Sequence, residues 1–326
     1  MKRCIMPPMI KQFVPTEIIF SPTDECNLHC AHCFVRRASS KLDAADALKF
    51  IDSCAGSSIQ YVGFSGGEPF LRADFIAQVV KKAVSENLMF DRIMTSGDWW
   101  KSEAELKSKL NAVYQAGYDG KIGLSWDAFH NQDFDRLLCF IKTAHSVFGT
   151  QSVEIQSVAQ KGDGFLGKLK KLSAELGCAF QSKISRKSGC GICVIRNGNV
   201  FLAVNRTRQS FSGSDEKRAW QSGHWFKDDF CSSMGQILFV TAEGSIAPCC
   251  GFANENPALT LGNIKQTFPQ IMQNASRNRM IKICFEQGLK SQIKPLKKRG
   301  IRFPEKGKTQ DICAFCDFVC RLTQQN

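Results

Sequence analysis

The chain has 326 residues, 43% hydrophobic and 22% charged, a globular composition with room for a sizeable core and a second small domain. Its 43 Lys and Arg against 30 Asp and Glu give a net charge of +13. No aromatic–basic ladder or nucleic-acid module accompanies that charge, so a basic solvated surface is read in preference to RNA or DNA binding. No apolar run approaches the ~20 residues that a membrane-spanning helix needs.

The opening segment carries a basic pair but is broken by Pro7, Pro8 and Pro15, and it lacks the continuous apolar core of a signal peptide. The chain is therefore expected to be cytoplasmic, with no membrane partner. Sixteen cysteines in a reducing compartment point away from disulfides and towards metal ligation where they are closely spaced. The scattered Cys4, Cys54, Cys139, Cys178 and Cys284 read as buried small hydrophobes.

Residues 16–22 read as a strand that leads into a loop with Cys26, Cys30 and Cys33. Residues 44–57 form a helical pattern with Ala47, Leu48, Ile51 and Cys54 on one face. A strand over 59–69 runs into glycines, and an amphipathic helix over 73–88 follows. Then come a strand (90–97), a helix (102–117) closing at Gly117, a strand (120–130), a helix (134–149) and a strand (152–160). A sixth unit is expected through 165–185. Strands alternating with helices predict a parallel α/β sheet, and the polar, glycine-rich motifs fall where those strands end, as active sites of such folds do. From residue 186 the texture turns polar and rich in Gly and Ser, and a domain boundary is placed between 190 and 225. The basic stretch 290–308 reads as a solvated loop.

The loop spacing C-x3-C-x2-C is one thiol short of a closed tetrahedral site. On spacing alone it admits a zinc ion completed by His29 or His32, or three irons of a [4Fe–4S] cluster with the fourth iron open. Downstream, "SGGEP" (65–69) ends the second strand, "TSG" (95–97) the third and "LSWD" (124–127) the fourth. A glycine pair lets backbone approach a ligand closely. Glu68 can hold an ammonium, and Ser96, Ser125 and Asp127 can bond sugar hydroxyls. Together they suit an amino acid joined to a ribose.

With C-x3-C-x2-C after the first strand, His32 in the aromatic place before its last cysteine, and GGEP after the second, residues 15–185 resemble the radical S-adenosylmethionine (radical SAM) superfamily. The resemblance implies a partial (β/α)6 barrel of the TIM type over 15–190. Cys26, Cys30 and Cys33 would hold a [4Fe–4S] cluster whose open iron binds S-adenosylmethionine. Gly66, Gly67 and Glu68 would meet its methionine end, and Ser125 and Asp127 its ribose. A reductant such as a flavodoxin or ferredoxin would supply the electron that yields a hydrogen-abstracting 5′-deoxyadenosyl radical, the protein ligating, orienting and excluding water.

Cys231, Gly244 and Cys249 follow the C-x9–15-G-x4-C opening of the SPASM domain. "LTLGNI" (259–264) and "CAFCDFVC" (313–320) continue the likeness over about 225–322. The resemblance implies a small irregular cysteine-rich iron–sulfur domain over 226–322, joined to the barrel by a linker or irregular extension over 191–225. The ending C-x2-C-x3-C is shorter than that of a full SPASM domain. One auxiliary [4Fe–4S] cluster is therefore expected, on Cys231, Cys249, Cys313 and Cys316, with a structural zinc as the alternative. Cys190 and Cys193 read as a turn with reduced thiols; a second cluster with Cys320 stays open.

"SWDAFH" (125–130), "APCC" (247–250) and the terminal C-x2-C resemble the radical SAM peptide epimerases, which install D-residues in ribosomally made peptides. That resemblance makes Cys250 the hydrogen donor to a Cα radical. Thioether or carbon–carbon crosslinking, and maturation of a protein partner, remain alternatives on the same scaffold. A non-catalytic peptide-binding protein stabilised by zinc or a cluster is a further one. No N-terminal peptide-recognition domain is evident. The basic surface suits an acidic peptide.

Overall fold

The computed structural model describes residues 12–30, 33, 35–36, 38–159, 162–183, 191–196, 199–208, 237–251, 253–303 and 312–323. Strands and helices alternate through the first half: β1 (Glu17–Phe20), α1 (Ala44–Ser53), β2 (Tyr61–Phe64), α2 (Ala73–Ser85), β3 (Met89–Thr95), α3 (Glu103–Gln115), β4 (Lys121–Ser125), α4 (Phe134–Phe148), β5 (Val153–Ala159) and α5 (Phe165–Glu175). After these come β6 (Ala179–Lys183), β7 (Gly191–Arg196), β8 (Asn199–Arg208), β9 (Ile237–Val240), β10 (Ser245–Ala247), β11 (Gly262–Asn263) and α6 (Phe268–Arg277).

The helices start where side chains replace missing backbone partners. Asp43 accepts from Asp46 N–H, Ser102 from Glu105 N–H, and Asp133 from both Asp135 and Arg136 N–H. Each helix then lays an apolar stripe on the sheet: Phe75, Ile76, Val79 and Val80 of α2, and Leu137, Phe140 and Ile141 of α4, are buried. In β1, Ile18 and Phe20 are fully buried towards the helices, with Phe20 packed against Phe64 and Phe75. The alternate positions, Glu17 and Ile19, face the concave side.

Eleven strands among the described residues make one sheet in the order β11-β10-β9-β1-β2-β3-β4-β5-β8-β7-β6. From β9 to β8 every neighbouring pair is parallel, the α/β partial-barrel arrangement expected from the alternation. Two features differ from the sequence reading. The strand after α5 does not join β5. That place goes to β8, which matches six residues of β5, while β7 and β6 fold back antiparallel beyond it. Residues 191–196 and 199–208, read as part of a linker or irregular extension, are therefore strands.

The second feature is β9, which pairs in parallel with β1, Glu17 opposite Ile237 and Phe20 opposite Val240. The C-terminal region thus extends the barrel sheet. It is tied on further where Ser53 Oγ accepts from Phe268 N–H at 2.9 Å and Glu255 Oε1 accepts from Arg36 N–H at 3.1 Å. No helix among the described residues is long and apolar enough to cross a membrane.

Candidate cluster and substrate site

Parallel pairing puts the loops after β1, β2, β3 and β4 at one rim. The cysteine loop is pinned there at its stems. Thr23 bridges Lys41, its hydroxyl donates to Ser40 C=O at 2.9 Å, and Lys41 pairs with Glu25 at 3.3 Å. Asn27 Nδ2 donates to Asp98 C=O at 2.8 Å, joining the loop to the segment after β3.

The GGEP segment docks on the same loop. Gly67 N–H donates to Thr23 C=O at 3.0 Å and Glu68 N–H to Glu25 C=O at 2.8 Å. A Cβ on Gly67 would lie 2.1 Å from Glu25 O, and one on Gly66, whose φ is +120°, would lie 2.1 Å from Ser21 Oγ. The glycine pair therefore lets two backbones touch, and so seats the thiols, besides facing the cavity.

An open cavity of about 210 Å³ is lined by Cys26, Cys30, Cys33, Gly66, Gly67, Ser96, Ser125 and His130, among others. These thiols carry no disulfide. Three soft thiolate donors on one wall, at the carboxyl ends of parallel strands, fit three irons of a cubane cluster, although no closed metal group is preformed among the described residues. His32, weighed as a fourth ligand and as the aromatic neighbour, lies outside the described residues. Gly66, Gly67, Ser96 and Ser125 stand on the cavity wall beside the thiols, where a small zwitterion and a ribose would meet them.

Glu68 and Asp127 stand behind that wall instead. Glu68 is 1% exposed, and its carboxylate accepts from Ser96 N–H and Ser96 Oγ, both at 2.8 Å, from Thr95 Oγ1 at 2.8 Å and from Phe70 N–H at 3.1 Å. Burial pushes its pKa up against the pull of those bonds. It clamps the end of β2 to the end of β3 and is not among the residues lining the cavity.

Asp127 accepts from Phe129 N–H at 2.9 Å, Val158 N–H at 3.0 Å and His130 Nδ1 at 2.8 Å. Burial would raise it, but the bond from His130 and the two amides hold it below its ordinary value. Asp127 thereby presents His130, which no sequence reading singled out, although the D-x-x-H spacing was visible. Burial alone would lower His130; the Asp127 bond and then the Cys30 thiol push it up to about 9.

The other end of the barrel is built by β10. It runs antiparallel to β9, with Ala247 opposite Phe239, so the following Cys249 and Cys250 are carried back towards the start of β1. Cys250 lies in the field of Glu17 and Asp91; burial first, and Glu17 next, push its thiol up to about 11, so it is protonated near neutrality. The cysteine loop and Cys250 thus occupy opposite ends of β1, whose four residues rise about 13 Å. Between them, on the concave face, Glu17 Oε1 lies 2.8 Å from where a Gly63 Cβ would stand and is a buried atom with no hydrogen bond among the described residues. A bulge pairs Val62 with Phe90 but Phe64 with Ile93, so β3 carries one extra residue at Asp91 and Arg92. Arg92 pairs with Asp91 at 2.8 Å and with Glu154 at 3.7 Å, giving this floor a net acidic lining.

Of the expected auxiliary ligands, Cys231 lies outside the described residues, as does Cys190, and no side-chain position is described for Cys193. Cys249 is buried, and Cys313 Sγ lies 3.2 Å from where a Gly251 Cβ would stand, next to that strand end. Cys316 Sγ lies 4.0 Å from Cys320 Sγ along the C-terminal helix Ile312–Thr323. The soft thiol donors assembled there suit an iron–sulfur centre.

Two family profiles match the chain: a "4Fe-4S single cluster domain" over residues 18–125 and the SPASM "Iron-sulfur cluster-binding domain" over 231–317. A PqqA peptide cyclase of Methylorubrum populi is 31% identical over 109 residues, covering 32% of this chain and 27% of that protein, so this chain matches about a quarter of that relative's length. A GTP 3',8-cyclase of Streptomyces coelicolor is 25% identical over 284 residues, covering 76% of this chain and 80% of that protein. Among solved structures, native anSMEcpe with bound AdoMet and the Cp18Cys peptide shares the fold, with a TM-score of 0.57, 13% identity, and coverage of 95% of this chain and 97% of that one.

Proposed function

Because the chain belongs to the radical S-adenosylmethionine superfamily and carries its SPASM-type C-terminal domain, we propose that it is an enzyme that modifies a ribosomally made peptide. The cyclase likeness and the fold shared with a peptide-bound structure support a peptide substrate. Of the possible modifications we favour epimerisation at Cα.

The observation that supports this reading is that the three-cysteine loop follows the end of β1 while Cys250 lies towards its start, with Glu17 and Ile19 on the concave face between them. A cluster on Cys26, Cys30 and Cys33, with S-adenosylmethionine beside Gly66, Gly67, Ser96 and Ser125, would supply at the upper rim a carbon radical able to take a hydrogen atom. Glu68 and Asp127 keep that rim rigid from behind. A peptide lying across the interior presents one face of its Cα to the rim and the other to Cys250. Being protonated, Cys250 has a hydrogen atom to give; the S–H bond breaks, a C–H bond forms on the far face, and the configuration inverts. The sulfur radical left behind regains its hydrogen through one electron and one proton, the electron coming from a reductant of the flavodoxin or ferredoxin class.

The test is to incubate the reduced protein and S-adenosylmethionine in D2O with ribosomal precursor peptides. Inversion with one solvent deuterium per inverted residue is expected, together with formation of 5′-deoxyadenosine, and Cys250→Ala keeps the latter and loses the deuterated product. Deuterated, inverted product from Cys250→Ala removes the donor assignment. The cyclase likeness favours crosslinking as the second reading, which would show a loss of two hydrogens and no deuterium. The surface charge of +13 suits an acidic peptide, whose binding should weaken as salt rises; salt-insensitive binding removes that preference.

A further inference from the structure

The stretch 290–308 reads in sequence as a solvated loop, yet residues 289–298 are two short helical turns, Leu289–Gln292 and Ile293–Lys298, following a π turn at Lys282–Gln287. Their inward positions are filled: Ile283, Phe285, Leu289 and Leu296 are buried. Their outward positions are largely cationic. Between Arg277 and Phe303 nine Lys and Arg stand against one carboxylate, Glu286, so this short stretch holds most of the net charge of +13. All nine cations are exposed. Because the buried side chains fix the frame, the charges form a surface and do not ride on a free loop.

This surface is left uncompensated. On α2 and α3, Lys82 pairs with Glu86 at 2.8 Å and Lys109 with Glu105 at 2.9 Å. Arg277, Arg279, Lys294, Lys297, Lys298 and Arg302, by contrast, form no ion pair among the described residues. Lys294 and Lys298 are spaced i,i+4, where like charges destabilise a helix. An anionic partner would relieve that repulsion.

The make-up of the surface narrows the partner. A single-stranded nucleic acid would call for exposed aromatic rings to stack on, and a membrane surface for a row of exposed apolar side chains. Among the described residues the large exposed hydrophobics are Val14, Val84, Met89, Tyr114 and Leu166, none of them here. Phe285 is buried, and Phe303 packs on Phe318 with ring centroids 5.5 Å apart. Lysine is also depleted from the cores of folded-protein interfaces, which rest on aromatic and apolar anchors. An extended acidic chain needs only charge and can adapt to its spacing. The location suits a substrate as well. Phe285 packs on Phe13 just ahead of β1, ring centroids 5.3 Å apart, at the end of the barrel to which β10 carries Cys250.

We propose that the outward face of Arg277–Arg302 is a docking platform for an acidic segment of the peptide substrate, lying outside the residues that are modified. The proposal rests on the reading that the substrate is a peptide. Docking of this kind binds ground state and transition state alike, so it lowers KM and leaves kcat unchanged.

The experiment compares the full, iron-loaded parent with three variants. The first carries Lys294→Glu, Lys297→Glu and Lys298→Glu together. The second carries Gln at the same positions, because Glu in the last turn of a helix opposes its dipole and could unfold it. The third carries Lys142→Glu, Lys168→Glu and Lys170→Glu, exposed positions of α4 and α5, and changes net charge as much as the first. The probes are a fluorescein-labelled peptide of alternating Glu and Ser, followed by anisotropy, and ribosomal precursor peptides, followed by KM and kcat. Probe affinity should fall roughly ten-fold in the first variant, less in the second, and by less than about two-fold in the third. The KM for an acidic precursor should rise in the first two with kcat kept. Equal losses in the first and third variants overturn the proposal, because bulk charge then suffices. So does an unchanged precursor KM in the first two variants, which makes the probe binding incidental. Loss of 5′-deoxyadenosine formation with flavodoxin but not with dithionite, at unchanged KM, overturns it in favour of an acidic electron carrier. A parent that forms 5′-deoxyadenosine but modifies no peptide removes the peptide reading and this platform with it, whereas peptide modified with the same KM by parent and variants removes the platform alone.

Discussion

Ser96 donates twice to one oxygen of Glu68, from its backbone N–H and from its hydroxyl, both at 2.8 Å, and this pair joins the loop after β2 to the loop after β3. With Thr95 on the other oxygen, the carboxylate is a structural clamp behind the cavity. Replacing Glu68 by Gln turns an acceptor into an N–H₂ group facing donors. The expected outcome is a loss of about 1–3 kcal/mol in stability, read by urea unfolding, with iron content falling as the rim loosens. A Glu68→Gln protein with unchanged unfolding midpoint would show that the clamp carries no stability.

Gly67 touches the backbone of Asp24 and Glu25, so Gly67→Ala must move the cysteine loop. A cost of roughly 1–3 kcal/mol is expected from this overpacking, together with loss of the iron held by Cys26, Cys30 and Cys33. The control is Gly167 in α5, where an added Cβ meets open space. There, Gly167→Ala should stabilise by about 0.5–1 kcal/mol and leave iron unchanged. Equal iron content in both variants would mean that the close approach at Gly67 does not position the loop.

Glu17 gives a pH dependence with a definite sign. Burial first and repulsion from Asp91 second raise its pKa to about 7 against the opposing pull of Arg92. A raised carboxyl favours the folded state when protonated, so its contribution is most favourable below about pH 4.5 and is lost as pH rises through about 7. Glu17→Gln removes that penalty. It should be more stable than the parent by about 1–3 kcal/mol at pH 8, with the gain shrinking towards pH 5 in urea titrations. A gain of the same size at both pH values would rule out titration as its source.

Asp127 holds two backbone amides and His130 at once. Asp127→Ala removes the acceptor that Phe129 N–H, Val158 N–H and His130 share, at a cost of about 2–4 kcal/mol. Asp127→Asn keeps one acceptor oxygen and should cost less. Thermal melts of the two variants check the order, and an Asn variant as damaged as Ala would assign the stability to charge and not to hydrogen bonding.

Much of this was legible in the residues. The β1–α5 alternation follows from apolar periodicity, because a helix or strand must show one apolar face to the core. The cysteine spacing with GGEP identified the upper rim, because the ligands of a small cluster must lie close in sequence or at strand ends. What only the tertiary structure decided depends on partners distant in the chain. It seats β8 beside β5, a place that a hydrogen-bonded ladder of six residues settles and local pattern does not. It engages Glu68 and Asp127 in internal hydrogen bonds, four from Thr95, Ser96 and Phe70 to one carboxylate and those of His130 and two amides to the other. It also brings Cys284, a residue with no motif around it, to within 3.7 Å of Cys316 across 32 positions of chain. Sequence pattern records which faces are buried and which residues are near neighbours. It does not record which distant side chains those faces bring together.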